Sequence, residues 1–376
     1  MKVRFFEPGL SYKKIKSTIL SVFDRVLSNG DLIMREDMET FEKEMAKYLG
    51  VRYFVGVNSG TDALYIALRA AGIGKGDEVI TVSHTFIATI EAIVRCGATP
   101  ILVDINENWL MDMDQVRKAV TPNTRAILPV HLSGDMCDMD ALIDIVKDTD
   151  IKIIEDAAQA LGSKWGDKMA GSIGLAGCFS FYPAKILGCY GDGGGIATND
   201  DHIYNECKLL RNHYNVKQTG LQSDAAPQEM EWVGNSRLDN IQAAVLRIKL
   251  DILPRTLIER WTIANHYNTK LADIPNITLP PNRVGRVWQD YVIKVMNARE
   301  RELLKDFLDE RGIETLGHGL IPNHHYNFKE NNLKKCVLPK TEEYTYEFVR
   351  LPCNENLTLE ETDYVIRAIR DFYGVI

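Results

Sequence analysis

The chain has 376 residues, more than one hydrophobic core usually spans, so a large unit and a smaller one are expected. Hydrophobic residues make up 45% and charged residues 26%, the balance of a soluble globular protein rather than a disordered or fibrous one. A formal net charge of -8 argues against broad binding to nucleic acid or an anionic membrane, both of which need a basic face, but leaves room for a small anionic ligand held by local positive charge.

The opening MKVRFFEPGLSYKK has no apolar core of a signal peptide, and no run approaches ~18 uninterrupted apolar residues. A cytoplasmic protein that neither spans nor coats a membrane is expected. The 7 cysteines are odd in number and lack a CxxC, which favours buried free thiols over a disulfide framework or a metal site.

Seven strands are read in chain order: 53–57, 78–83, 99–104, 126–131, 151–156, 177–181 and 194–198. Helical patterns separate most of them, at 61–72, 87–97, 113–120 and 139–148. Several strands are near-continuous apolar runs, as strands covered on both faces must be. Alternation of strand and helix predicts an α/β domain with a mostly parallel sheet flanked by helices. From Ser236 the texture becomes helical, and Pro254 is expected to break or kink the run before a second helix over 256–274. A turn and strand follow, then a helix closed by Gly312 and a final amphipathic helix opened by Thr358 and Glu361. Residues 1–249 are thus expected to form a large domain with an N-terminal arm, and 250–376 a smaller α+β domain.

Open parallel sheets bind ligands beyond the carboxyl ends of their strands, and the unusual residues gather there. Asn58-Ser59-Gly60-Thr61-Asp62 follows the first strand. A glycine and a hydroxyl residue at a helix start make a phosphate cradle, or else an ordinary helix cap. Phe86 sits on the turn after the second strand, as a core aromatic or a ligand contact. Glu155 and Asp156 end the fifth, where a carboxylate needs a partner, and Gln159 follows one turn on. The run FSFYPAKILGCYGDGGG carries Ser180, Tyr182 and then Lys185 in apolar company before a glycine cluster. A desolvated lysine of this kind has a lowered pKa and forms Schiff bases readily.

These motifs, from NSGTDALYIAL through HTFIATIEAI, IIEDAAQALGSKW, FSFYPAKILGCYGDGGGIATND and GNSRLDNIQAAVL to LTLEETDYVI, resemble the DegT/DnrJ/EryC1/StrS sugar aminotransferases along nearly the whole chain. The resemblance implies a fold-type-I pyridoxal-phosphate transferase with a mixed, mostly parallel seven-stranded sheet. It implies that Lys185 condenses with the cofactor aldehyde, Asp156 faces the pyridine nitrogen, Gln159 lies near the phenolic oxygen and Phe86 stacks on the ring. Gly60, Thr61 and Ser180 match phosphate contacts, and Asn235 matches a residue reaching the phosphate of the neighbouring subunit, so a homodimer with shared sites is implied. The substrates implied are L-glutamate, which leaves the cofactor as pyridoxamine 5'-phosphate, and a keto nucleotide-linked hexose, feeding a surface polysaccharide or a glycosylated metabolite. Amination at carbon three is suggested by GCYGDGG and NSRLD. Tyr182, Arg237 and either His324 or His325 are the candidates to touch substrate. The segment GHGLIPNHHYNF departs from the Pro-Leu-His of relatives, with Asn323 in place of leucine. Arg211, His213, Lys217 and Arg237 cluster around a variable stretch and are candidates to meet a sugar diphosphate.

Three other readings compete. A dehydratase of the same family would carry histidine where Lys185 stands. A regulatory protein that holds the cofactor without turnover would be expected to carry an extra DNA-binding segment, and a dinucleotide-dependent oxidoreductase to show GxGxxG after its first strand. Neither feature occurs in this sequence.

Overall fold

All seven apolar runs read as strands join one sheet in the computed structural model, which describes residues 1–215, 234–317, 322–325 and 336–375. They are β1 (Tyr53–Val57), β2 (Glu78–Val82), β3 (Thr99–Val103), β4 (Thr124–Ile127), β5 (Lys152–Asp156), β8 (Ala176–Ser180) and β9 (Gly194–Thr198). A small hairpin of β6 (Lys164–Trp165) and β7 (Lys168–Met169) interrupts the series. The order across the sheet is β1-β9-β8-β5-β4-β2-β3. Pairing is parallel from β3 through β8, whereas β9 runs against both β8 and β1. The cause is the connection. A parallel return needs a crossover, usually a helix, but the 181–193 link contains none. β2 and β9 are buried at every position, the polar Glu78, Thr81 and Thr198 included, as strands covered on both faces are.

Helices α3 (Gly60–Ala70), α4 (Ile87–Arg95), α5 (Met113–Ala119), α6 (Met139–Val146) and α7 (Asp201–Leu210) accompany the sheet. Two earlier helices, α1 (Pro8–Asn29) and α2 (Glu36–Leu49), lie in a stretch for which the sequence reading gave no elements.

The expected break at Pro254 does not occur. A single 31-residue helix, α8 (Asn240–Lys270), runs through it. A proline inside a helix removes one N–H bond and crowds the preceding turn, but burial along the whole helix outweighs that local cost. Leu246 and Leu253 pack into the core around the large sheet, and Ile263 and Tyr267 into a second core. At its start, Asn240 accepts the Met38 N–H (2.9 Å), and Arg247 pairs with Asp37 (2.8 Å) and Glu44 (3.1 Å), tying α8 to α2.

The second core surrounds an antiparallel sheet of β10 (Ile277–Thr278), β11 (Tyr291–Val295), β13 (Phe348–Leu351) and β12 (Leu316–Gly317), in that order. Helices α9 (Ala298–Asp309) and α11 (Leu359–Tyr373) pack on it, and α10 (Pro339–Thr345) precedes β13. The first residues of the chain cross to this side: Val3 is fully buried in the second core, donates to Gly312 O (2.8 Å) and accepts from Glu314 N (2.9 Å). The cysteines among the described residues form no disulfide; six are buried and Cys336 is half-buried. Among the described residues no helix is long and apolar enough to cross a membrane.

The expected capping box opens α11: Thr358 Oγ1 accepts the Glu361 N–H (3.2 Å), while the Glu361 carboxylate accepts the Thr358 N–H (2.8 Å). Thr358→Ala should lower unfolding stability by about 0.5–2 kcal/mol, read as a lower denaturant midpoint at unchanged slope.

Candidate active site

A cavity of about 680 Å³ opens at the carboxyl ends of β1, β5 and β8 and takes its far wall from β13 and the chain start. At one end sits the start of α3. Ser59 caps this helix, its Oγ accepting the Asp62 N–H at 3.1 Å, while Gly60 and Thr61 line the cavity. Cap and cradle are therefore compatible, because a helix start has more N–H groups than one side chain can satisfy. The backbone packing here admits no side chains: a Cβ on Gly60 would lie 2.7 Å from Ser180 Cβ, and one on Gly194 would lie 2.3 Å from the Ser59 carbonyl. Ser180, at the end of β8, is thereby held against the helix start.

At the end of β5 the two adjacent carboxylates face opposite ways, as alternate strand residues must. Glu155 is consumed by the fold: it accepts from the N–H groups of Gly171 (2.8 Å), Ile173 (2.8 Å) and Gly174 (2.7 Å) and from His131 Nε2 (3.0 Å). His131 Nδ1 accepts the Cys137 N–H (3.3 Å), so the ring proton sits on Nε2. Asp156 instead turns to the cavity and is 6% exposed. Thr89 Oγ1 donates to its Oδ2 (2.8 Å) and Ala158 N to its Oδ1 (3.2 Å). Burial pushes the Asp156 carboxyl above the usual carboxylate range, while those bonds and the charge of Lys185 pull it back.

Gln159 Oε1 accepts the Ser133 N–H (2.8 Å), which leaves its amide N–H groups as the available donors. Phe86 is 60% exposed although His84 and Thr85 beside it are buried, so its ring is presented to the cavity rather than to the core.

Lys185 stands on the turn after β8, its N–H bonded to Tyr182 O (2.8 Å). The peptide groups on either side are clamped by one carboxamide: Gln289 Nε2 donates to Ala184 O (3.0 Å), and Gln289 Oε1 accepts the Ile186 N–H (3.0 Å). Among the described residues the Lys185 amine makes no hydrogen bond. Burial lowers its pKa, which the carboxylates of Asp290 and Asp156 partly restore. Tyr182, 55% exposed, lines the same space.

Other candidates lie elsewhere. Asn235 is exposed and outside the cavity, bridged to Asn212. Arg237 donates to Asn212 Oδ1 (3.2 Å), also outside. Arg211 is not available to a substrate: it is buried, paired with Glu42 and bonded to Gly56 O (2.9 Å), holding α2 to β1. His213 is exposed, and Lys217 lies outside the described residues. Neither His324 nor His325 lines the cavity. His324 uses both ring nitrogens, Nδ1 with Ser83 Oγ (2.8 Å) and Nε2 with Glu342 (3.0 Å), while His325 is exposed. Asn323, the departure from Pro-Leu-His, donates to Ser83 O (2.9 Å) and Thr85 O (2.8 Å), bracing the turn that carries Phe86. Gln289, Asp290, Arg350 and Phe5 line the cavity without having been candidates. They reach it from the second core and the chain start, and nothing local in the sequence marks them.

The model of the DegT/DnrJ/EryC1/StrS aminotransferase family matches residues 13–370. A dTDP-3-amino-3,4,6-trideoxy-alpha-D-glucose transaminase of Streptomyces venezuelae is 37% identical over 99% of this chain and 96% of its own. A pleiotropic regulatory protein of Geobacillus stearothermophilus is 38% identical over 99% of both chains. The crystal structure of S. venezuelae DesV in complex with a ketimine intermediate superposes with a TM-score of 0.92 at 37% identity, covering 100% of this chain and 99% of that one.

Gly194→Ala should force the cradle apart, lowering stability by about 1–3 kcal/mol as overpacking does, and weakening inorganic phosphate binding measured by calorimetry. Gln289→Ala frees the Lys185 turn; a wild-type thermal midpoint and unchanged protease sensitivity of that turn would refute the clamp.

Proposed function

The chain belongs to the DegT/DnrJ/EryC1/StrS aminotransferase family, and on that premise we propose that it transfers an amino group from L-glutamate to a keto nucleotide-linked hexose, with Lys185 as the reacting amine. The observation that carries this reading is a lysine amine without a hydrogen bond among the described residues, lowered in pKa by burial, in one cavity with a buried carboxylate. Enzymes of this family use pyridoxal phosphate. The residues present fit it: a glycine cradle with no room for a Cβ, an aromatic face, a carboxamide donor and a carboxylate in want of a cation.

In this reading Gly60, Thr61 and Ser180 hold the phosphate, Phe86 covers one ring face, Gln159 donates toward the phenolic oxygen and Asp156 keeps the ring nitrogen protonated. The bound cofactor supplies an electron sink for the charge left on the amine-bearing carbon. Lys185 Nζ accepts the proton that leaves the donor's α-carbon. Such a positioned base contributes roughly 10²–10⁴-fold. Tyr182 lies beside it as a substrate contact. Residues 1–249 would be the cofactor-holding domain and 250–376 the smaller one.

The working unit in this reading is a cytoplasmic homodimer with shared sites, Asn235 serving the neighbouring subunit's phosphate. Its exposure, and the exposed Leu20, Leu27, Ile258 and Trp261, support an interface. Arg237 belongs with Asn235 in that shared contact. Neither histidine lines the cavity of one subunit, and both ring nitrogens of His324 are engaged, so His325 is the one kept as a substrate contact in the assembled dimer. The S. venezuelae relative's name places its amine at carbon three, and carbon three is the position assigned here. The name of the G. stearothermophilus relative favours a regulatory alternative, in which the cofactor is held without turnover.

Release of 2-oxoglutarate from L-glutamate, with an amine gained by a three-keto nucleotide sugar in the mass spectrum, separates the two readings. Lys185→Arg should abolish that release and the visible absorbance of covalently held cofactor. Retention of borohydride-fixed cofactor in this variant would overturn the assignment. Because Schiff bases form from the neutral amine, capture of pyridoxal phosphate by cofactor-free protein should rise with pH and level off with a midpoint below 10.5. Asp290→Asn removes a charge that favours the ammonium form, so the midpoint should fall further, measured by stopped-flow absorbance.

A further inference from the structure

Among the described residues four basic side chains line the cavity: Lys185, His131, Arg260 and Arg350. Three are committed. Lys185 is the reacting amine of the proposed function, and His131 is locked to Glu155 and Cys137. Arg260 spends its donors on the fold: Nε and Nη2 go to Glu355 Oε2 (3.1 and 2.9 Å), and Nη1 to the carbonyls of Trp288, Gln289 and Cys353 (3.3, 3.2 and 3.0 Å).

Arg350 differs. It projects from β13 between β11 and β12. Among the described residues its guanidinium makes no hydrogen bond, and its Nε is buried without a partner. Its one ion pair there is with Asp290, whose Oδ2 lies 3.6 Å from Nη1, beyond hydrogen-bond reach. The Phe5 ring, 5.7 Å from Cζ, lies on the same side. Its side chain is 21% exposed, so a ligand in the cavity can reach it. A guanidinium whose Nε is buried without a partner among the described residues is costly to leave unsatisfied, and a planar carboxylate is the group its fork fits, accepting two parallel bonds. Asp290 offsets the charge when no ligand is bound and sets the fork's orientation. Arg350 and Lys185 line the same cavity, so an anion held by the guanidinium shares that space with the reacting amine.

From this the geometry points to Arg350 as the carboxylate-binding residue of the cavity. The assignment rests on the proposed function for the identity of the ligand, and two substrates can bring a carboxylate: the amino-acid donor, or a nucleotide-linked sugar that is a uronic acid. A diphosphate is disfavoured, because a single guanidinium already partnered by Asp290 offers too little charge for it.

The test is binding to the cofactor-loaded enzyme by calorimetry, with glutarate as the donor's carboxylate mimic, dTDP as the diphosphate control and UDP-glucuronate against UDP-glucose as the sugar pair. Arg350→Gln should weaken glutarate roughly 10- to 150-fold, the loss expected when charge-assisted bonds are removed, and leave dTDP unchanged. Arg350→Lys, which keeps the charge and loses the fork, should recover only part. The double variant Arg350→Gln with Asp290→Asn leaves no unpaired charge and should bind glutarate as weakly as Arg350→Gln. It guards against a folding defect in the single variant. If glutarate is unaffected but the preference for UDP-glucuronate over UDP-glucose disappears, the carboxylate belongs to the sugar. Unchanged affinity for both carboxylates, or a loss confined to dTDP, overturns the assignment. A wild type that binds glutarate through Arg350 yet releases no 2-oxoglutarate would refute the proposed activity and leave this site standing.

Discussion

A half-buried primary amine that shares one cavity with two carboxylates is costly to arrange in isolation, and much of this fold serves to maintain it. Desolvation disfavours the ammonium form of Lys185, and a close ion pair would favour it. Here Asp290 and Asp156 act on the amine through their charge while neither forms a hydrogen bond with it among the described residues. In the proposed function the amine is available to react because its surroundings stop short of a salt bridge. That balance depends on where the backbone puts Lys185, which is why the Gln289 carboxamide on both flanking peptide groups matters as much as the charges.

The same economy appears at the end of β5. Two adjacent carboxylates are placed on opposite sides of one strand, and the environment separates their roles. Glu155 accepts three backbone N–H groups and a histidine proton, and so fixes the 171–174 turn under the site. Among the described residues Asp156 receives two hydrogen bonds and keeps capacity for a cation. Asn323 works similarly at a distance: by bonding the carbonyls of Ser83 and Thr85 it secures the turn on which Phe86 turns outward. The side chain that departs from the family's usual text thus has a supporting task behind the site.

Local sequence was a sufficient guide wherever the determinant was local. Each of the seven strands was legible because an apolar run bounded by turn residues has few other stable fates in a two-sided sheet. Gly60, Asp156 and Ser180 were legible as well, since each stands at a strand end or a helix start, and Lys185 because it stands on the turn that follows β8, where chain order dictates nearness to the crevice. Pro254 was misread because its local cost is real but small beside the burial of Leu246, Leu253, Ile263 and Tyr267 on the same helix. Arg211 was misread because a charged residue near a variable loop looks exposed until Glu42, 169 positions away, is brought against it.

The sequence by itself therefore determined the sheet, the strand ends and the residues those ends carry, because periodicity and turn chemistry act over a few neighbouring positions. Only the tertiary structure decided which way β9 runs, which of the two adjacent carboxylates faces the cavity, and that Phe5, Gln289, Asp290 and Arg350 complete the lining around Lys185. Those contacts join segments from both cores, and no local pattern encodes them. They follow from burying two apolar surfaces at once along a single long helix.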